Sequence, residues 1–122
     1  MSNLLMVALG GGFGAAARYL VGRSFGAAWL GTLTVNVVGG LLMGLLAGWL
    51  VGRGGEDQER WRLLLGVGVL GGFTTFSAFS LETAQMLERR AYGEAFAYTA
   101  ASVVLSVAAL FAGLIIARRV FA

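Results

Sequence analysis

Residues 66–83 read GVGVLGGFTTFSAFSLET, and the reading of this stretch decides the fold. It lies inside a longer apolar run, 61–87, which is long enough to cross a bilayer, since a spanning helix needs about 20 predominantly apolar residues. Yet Gly71, Gly72, Thr74 and Thr75 cluster near its centre, and all are poor helix formers. Glycine costs about 1 kcal/mol against alanine in a helix interior, and threonine loses rotamer freedom. A helix broken at mid-span would free backbone carbonyls at membrane depth, where irregular backbone is tolerated only against protein or a cavity. A cation is one partner for such carbonyls. The alternative is an unbroken helix with a small-residue packing face. The chain has no proline, so any break is assigned to glycine.

Working outward, three more apolar runs cover roughly 3–22, 31–52 and 93–117, joined by short polar segments at 23–30, 53–60 (RGGEDQER, the one clearly aqueous loop) and 88–92 (ERRAY). Of the 122 residues 58% are hydrophobic and 12% charged. Soluble domains are typically about 45–50% apolar and about 25% charged, so lipid is the expected solvent. Only helices suit such spans, because open sheets cannot satisfy their edges in hydrocarbon. The expectation is an all-α membrane protein, residues 1–122 forming a single transmembrane domain in the cell membrane. Residues 3–22 read as a retained first helix, since no basic segment precedes them and no cleavage site stands out.

Absent cysteine and histidine exclude disulfides, thiolate metal sites and the commonest general base. The pI is near 10.2 and every basic residue is arginine. The arginines sit at the ends of apolar runs, the usual pattern of membrane helices, and nucleic acid is not an expected partner. Arg53, Arg60, Arg62, Arg118 and Arg119 fall on one face of a four-span topology, and Arg18, Arg23, Arg89 and Arg90 on the other. Orientation follows the imbalance of such charges, and here there is almost none. The chain is therefore expected to insert both ways and pair as an antiparallel, dual-topology homodimer. Gly40, Gly44 and Gly48 recur every four residues, as do Gly10, Gly14 and Gly22 with Arg18 at the missing step. Small residues so spaced let helices approach closely, either within one bundle or between subunits.

The polar residues of the spans are few. Phe76 and Phe79 share a helix face, with Ser77 and Ser80 on the neighbouring one. A phenyl ring has a positive edge that can cradle an anion, and hydroxyls can replace lost water. Tyr98, Ser102 and Ser106 form a ladder of hydroxyls at four-residue steps, with Thr99 beside them. Asn36, near Thr32 and Thr34, must be paired or line water. Arg18 either meets an entering anion or snorkels to the interface. Glu82 is an acid within a span, a functional suspect by default, or the partner of a polar network. Many donors and little fixed charge suit a small anion that must also leave quickly.

GGGFGAAARY (10–19), GTLTVNVVGG (31–40) and GGFTTFSAFSLE (71–82) resemble the signature stretches of the CrcB/Fluc family of fluoride channels, and the resemblance runs over essentially the whole chain. It implies four helices with a broken third, an antiparallel dimer, and two pores along its interface. It implies a structural sodium ion on the backbone carbonyls of Gly71 and Thr74 of both subunits. Phe76 and Phe79 would contact fluoride, and Asn36 would donate a hydrogen bond at the pore. Thr75 and Ser77 match the hydroxyls beside the rings, and Tyr98, Ser102 and Ser106 the polar track of the fourth helix. Arg18 would stand at the vestibule and Glu82 near the pore end. Ala78 departs from the pattern, where threonine or serine is common between the rings. The implied activity is passive fluoride export, with no catalytic residue. A rival is a proton-coupled exporter of the small multidrug-resistance type, but it needs a carboxylate in the first span, and residues 3–22 contain none. The other rival is a structural membrane subunit that transports nothing.

Overall fold

The computed structural model describes residues 2–121, with the side chain of Glu56 left aside; Met1 and Ala122 lie outside the described residues. The regular elements of the described chain are all helical, without a strand, and four helical stretches are long and apolar enough to cross a membrane: Asn3–Gly22, Ala28–Val51, Asp57–Glu88 and Tyr92–Phe121. Helix α1 (Asn3–Gly22) starts where Ser2 Oγ accepts the Leu5 N–H at 3.2 Å, which satisfies one of the donors that a helix start leaves free. Helix α2 is Ala28–Val51, three residues longer at its start than its apolar run suggests.

The third span is composite. Helix α3 (Gly55–Trp61) continues into a π-helical segment, Arg62–Leu70, then α4 (Gly71–Phe73), and resumes as α5 (Phe76–Glu88). The polar stretch 53–60, read as a loop, is thus largely helical. Asp57 lies near the start of α3, where acidic groups favour the helix dipole, and Gly55 takes the positive φ of 75° that opens the turn. Nothing in the sequence pattern signals the π-helical segment, whose end shows in the Gly71 N–H reaching the carbonyl of Gly66. Helix α6 (Tyr92–Phe121) follows a turn in which Arg90 adopts φ 61°.

The glycines join the helices in two pairs. A Cβ on Gly44 would fall on the Leu110 carbonyl, and one on Gly40 would stand 2.7 Å from the Ser106 carbonyl. Gly48 likewise faces Ala117, and from α6 Gly113 faces the Leu41 carbonyl. The stripe on α2 is therefore a seam with α6 of the same chain. Gly10 and Gly14 of α1 face the Leu64 and Val69 carbonyls of the π-helical segment, and Gly72 faces Gly11 in return. Gly22 takes less part, for a Cβ there would meet nothing within 4 Å.

Buried side chains are few. Leu46, Leu50 and Leu70 make one cluster and Met86, Ala95 and Tyr98 another, whereas Leu4, Phe13, Val51, Phe96, Val104, Phe111 and Val120 lie exposed. An apolar exterior over a small core is what lipid, not water, stabilises, and the chain is a multi-pass membrane protein. Gly14→Ala and Gly44→Ala are expected to lower stability by about 1–3 kcal/mol through overpacking. Gly93→Ala, where a Cβ meets nothing within 4 Å, is expected to be neutral or slightly stabilising. Thermal unfolding of the purified proteins in detergent compares them.

Candidate functional site

The helix of the third span leaves helical geometry at Thr74 (φ −86°, ψ 159°) and Thr75 (φ −150°, ψ 122°). The interruption does not fall on the glycines. Gly71 keeps helical angles (φ −61°, ψ −38°), and Gly72 is needed for its close approach to α1. Thr74 keeps its helical N–H bond to the Leu70 carbonyl at 3.0 Å, and it is the backbone of Thr75 that another helix takes over. Asn36 on α2 accepts the Thr75 N–H at 2.8 Å and donates its amide to the Thr75 carbonyl at 3.0 Å. Thr75 Oγ1 then accepts the Ala78 N–H at 3.1 Å and caps α5. In an unbroken helix those two N–H groups would go to Gly71 and Thr74. The Gly72 carbonyl accepts from Arg18 Nε at 3.0 Å. Arg18 therefore turns inward to the interruption and does not simply snorkel.

Phe76 and Phe79 span the first turn of α5, ring centroids 5.5 Å apart. Phe79 also meets Tyr98, at 5.3 Å, while Phe76 is 78% exposed. Ser77 and Thr75 hydroxyls lie 3.2 Å apart. Ser80 bonds back to the Phe76 carbonyl and Thr34 to the Leu30 carbonyl, so these two hydroxyls are taken up by their own helices. Glu82 accepts from Thr32 Oγ1 at 2.8 Å and from Tyr98 Oη at 2.7 Å, so α2, α5 and α6 meet on one carboxyl group.

Two cavities flank the interruption. One of about 370 Å³ is lined by Arg18, Arg23, Thr32, Thr75 and Glu82, among others. The other, about 320 Å³, is an open groove lined by Asn36, Thr74, Thr75, Phe76 and Ser106. Thr75 borders both. Gly71, Ser77, Phe79, Tyr98 and Ser102 are not in the groove wall, although Phe79 and Tyr98 stand behind it. The Ser102 and Ser106 hydroxyls are buried without a hydrogen-bond partner, and so is that of Thr83. Thr83 was not singled out from the sequence, although it lies four residues beyond Phe79 and shares its face. Among the described residues no cluster of three or more His, Cys, Asp or Glu side chains is placed to bind a metal. A cation here would be held by neutral oxygens. The Gly71 and Thr74 carbonyls, deprived of their helical donors, fit that chemistry.

The polar side chains of this multi-pass membrane protein thus gather at an interrupted span, with unpartnered hydroxyls beside it. The model of the family described as CrcB-like protein, Camphor Resistance (CrcB), matches residues 5–114. A protein named Fluoride-specific ion channel FluC from Caulobacter sp. (strain K31) is 68% identical, over 99% of this chain and 98% of its own length. A second of that name, from Caulobacter vibrioides (strain NA1000 / CB15N), is 65% identical over the full length of both. A third, from Novosphingobium aromaticivorans, is 54% identical over 98% of this chain and 99% of its own. This chain belongs to the CrcB family.

Tyr98→Phe removes one bond to Glu82 without changing shape. It is expected to cost about 1–2 kcal/mol, read from thermal unfolding in detergent, with Thr32→Val similar.

Proposed function

We propose that this chain is a subunit of a fluoride-selective channel through which the cytoplasmic ion leaves passively, down its electrochemical gradient. The observation that carries the reading is the aromatic pair Phe76 and Phe79, 5.5 Å apart, at the start of α5 directly beyond the interruption. Relatives more than 60% identical over nearly their whole length are named fluoride-specific ion channels, which supports it. Ring edges attract an anion, and the positive end of the α5 dipole lies beside them. Asn36 keeps a second amide hydrogen beyond the one given to Thr75, and Thr75, Ser77, Ser102 and Ser106 add hydroxyls, with the Tyr98 ring behind. The groove wall holds no fixed cation. Fluoride would exchange its water for donors of moderate strength and would not be trapped by a full charge. Arg18 and Glu82 line one neighbouring cavity, which would set a positive and a negative group beside the ion's path.

One chain offers only one wall, because the groove is open and Phe76 is largely uncovered. A second copy inserted the other way, as the balanced arginines favour, would supply the facing wall and, by symmetry, a second pore. The interruption would then lie at mid-membrane in both copies. A structural sodium ion held by the Gly71 and Thr74 carbonyls of both protomers would add a fixed positive charge and tie the two interruptions together. Neutral hydrogen fluoride crosses lipid and ionises in the less acidic cytoplasm, so an anion pore needs no energy source.

Liposomes carrying the purified protein are expected to release fluoride and retain chloride; no fluoride flux, or equal chloride flux, overturns the reading. Phe76→Ile and Phe79→Ile are each expected to reduce fluoride flux at least tenfold, about the effect of 1.4 kcal/mol in a barrier, while the protein still dimerises. C-terminal reporters active on one side of the membrane only are expected to respond from both sides, and a signal from one side alone removes the antiparallel pairing.

A further inference from the structure

The interruption presents a question of hydrogen-bond accounting. Of the four N–H groups that an unbroken helix would give to residues 71–74, those of Thr75 and Ala78 are taken by side chains. The Thr75 N–H, which an α-helix would give to Gly71, goes to Asn36 Oδ1 at 2.8 Å. The Ala78 N–H, which would go to Thr74, goes to Thr75 Oγ1 at 3.1 Å. Asn36 also grips the Thr75 carbonyl at 3.0 Å, so the amide is tied to the peptide on both sides. Two hydrogen bonds from one amide to the backbone of a residue on another span fix a position more firmly than a side chain waiting for a passing ion.

We infer that Asn36 and Thr75 are positioning residues for the cation site: their side chains occupy the amides that would otherwise close on Gly71 and Thr74, and so keep those carbonyls open. The inference rests on the sodium reading given above and adds a cause to it. The open carbonyls are owed to the asparagine and the threonine hydroxyl, not to the glycine. Without Asn36 Oδ1, the Thr75 N–H and the Gly71 carbonyl have only each other or water as partners. Without Thr75 Oγ1, the same holds for the Ala78 N–H and the Thr74 carbonyl. In either case the oxygen is no longer reserved for a cation.

The test measures sodium, not fluoride. The full-length protein in detergent is unfolded thermally over a range of sodium chloride concentrations, with N-methylglucamine chloride holding ionic strength constant. A cation that binds only the folded state raises the midpoint as its concentration grows. The wild type is expected to show this rise. Asn36→Ala and Thr75→Val are expected to shift the half-effective sodium concentration upward about tenfold, the scale of one lost hydrogen bond, whereas Thr75→Ser keeps the hydroxyl and stays within about twofold. A role of Asn36 as a fluoride donor alone would lower flux in liposomes and leave the sodium dependence untouched. Variants that fold and follow the wild-type sodium curve overturn the inference and leave the sodium site standing. A wild type indifferent to sodium removes both. Should Asn36→Ala fail to fold, the Thr75→Val and Thr75→Ser pair decides, since equal curves for the two are incompatible with the proposal.

Discussion

A peptide group in hydrocarbon has no water to turn to, so every break in a spanning helix must be settled by other parts of the protein. The rest of this structure is organised around that constraint at Thr74 and Thr75. Helix α2 sends Asn36 to both polar atoms of the Thr75 peptide, α1 sends Arg18 to the Gly72 carbonyl, and α5 caps itself with the Thr75 hydroxyl. Two neighbouring helices converge on a few residues because the third span cannot fully satisfy its own backbone there.

The convergence requires close approach, and the glycines provide it. Gly10, Gly14 and Gly72 bring α1 against the first part of the third span, and Gly40, Gly44 and Gly113 bring α2 against α6. With the apolar groups largely turned outward, the interior owes its specificity to a small polar set. The Glu82 carboxyl group binds Thr32 and Tyr98 together, and Tyr98 in turn supports the Phe79 ring that meets Phe76. The aromatic pair is thus held from behind by a polar network that itself spans three helices.

Much of this was legible in the residues. Apolar length alone marks the four spans, and the GGFTTFSAF stretch points to the interruption and the rings. Asn36, Thr74, Thr75, Phe76 and Ser106, all singled out from the sequence, do border one groove. What one-dimensional reasoning missed depends on partners distant in the chain. Propensity favours a break at Gly71 and Gly72, but both stay helical, and the missing side chain of Gly72 serves packing against α1. The break moves to the threonines, where Asn36, 39 positions earlier, reaches Thr75. The same blindness hid Arg18 turning inward and the orphaned Thr83 hydroxyl. The helical course of 55–60 was masked by its polarity, which describes its solvent and not its backbone.

The wider coil of Arg62–Leu70 has a further consequence. A π-helical turn holds one residue more than an α-turn for the same hydrogen-bonded closure, so it acts as an angular spacer. It sets how α3 is rotated relative to the interruption. Trp61 stacks edge-on against Trp49 at 5.8 Å on one side of this spacer, and Gly72 meets α1 on the other. Reversion to ordinary winding would turn one end by about 100° against the other for each residue absorbed. Either the tryptophan contact or the glycine contact would then be lost. The winding between Trp61 and Thr74 and the number of residues it holds are therefore matched to each other, and a change in either one alone would dephase the two ends of the helix even if every apolar residue were kept.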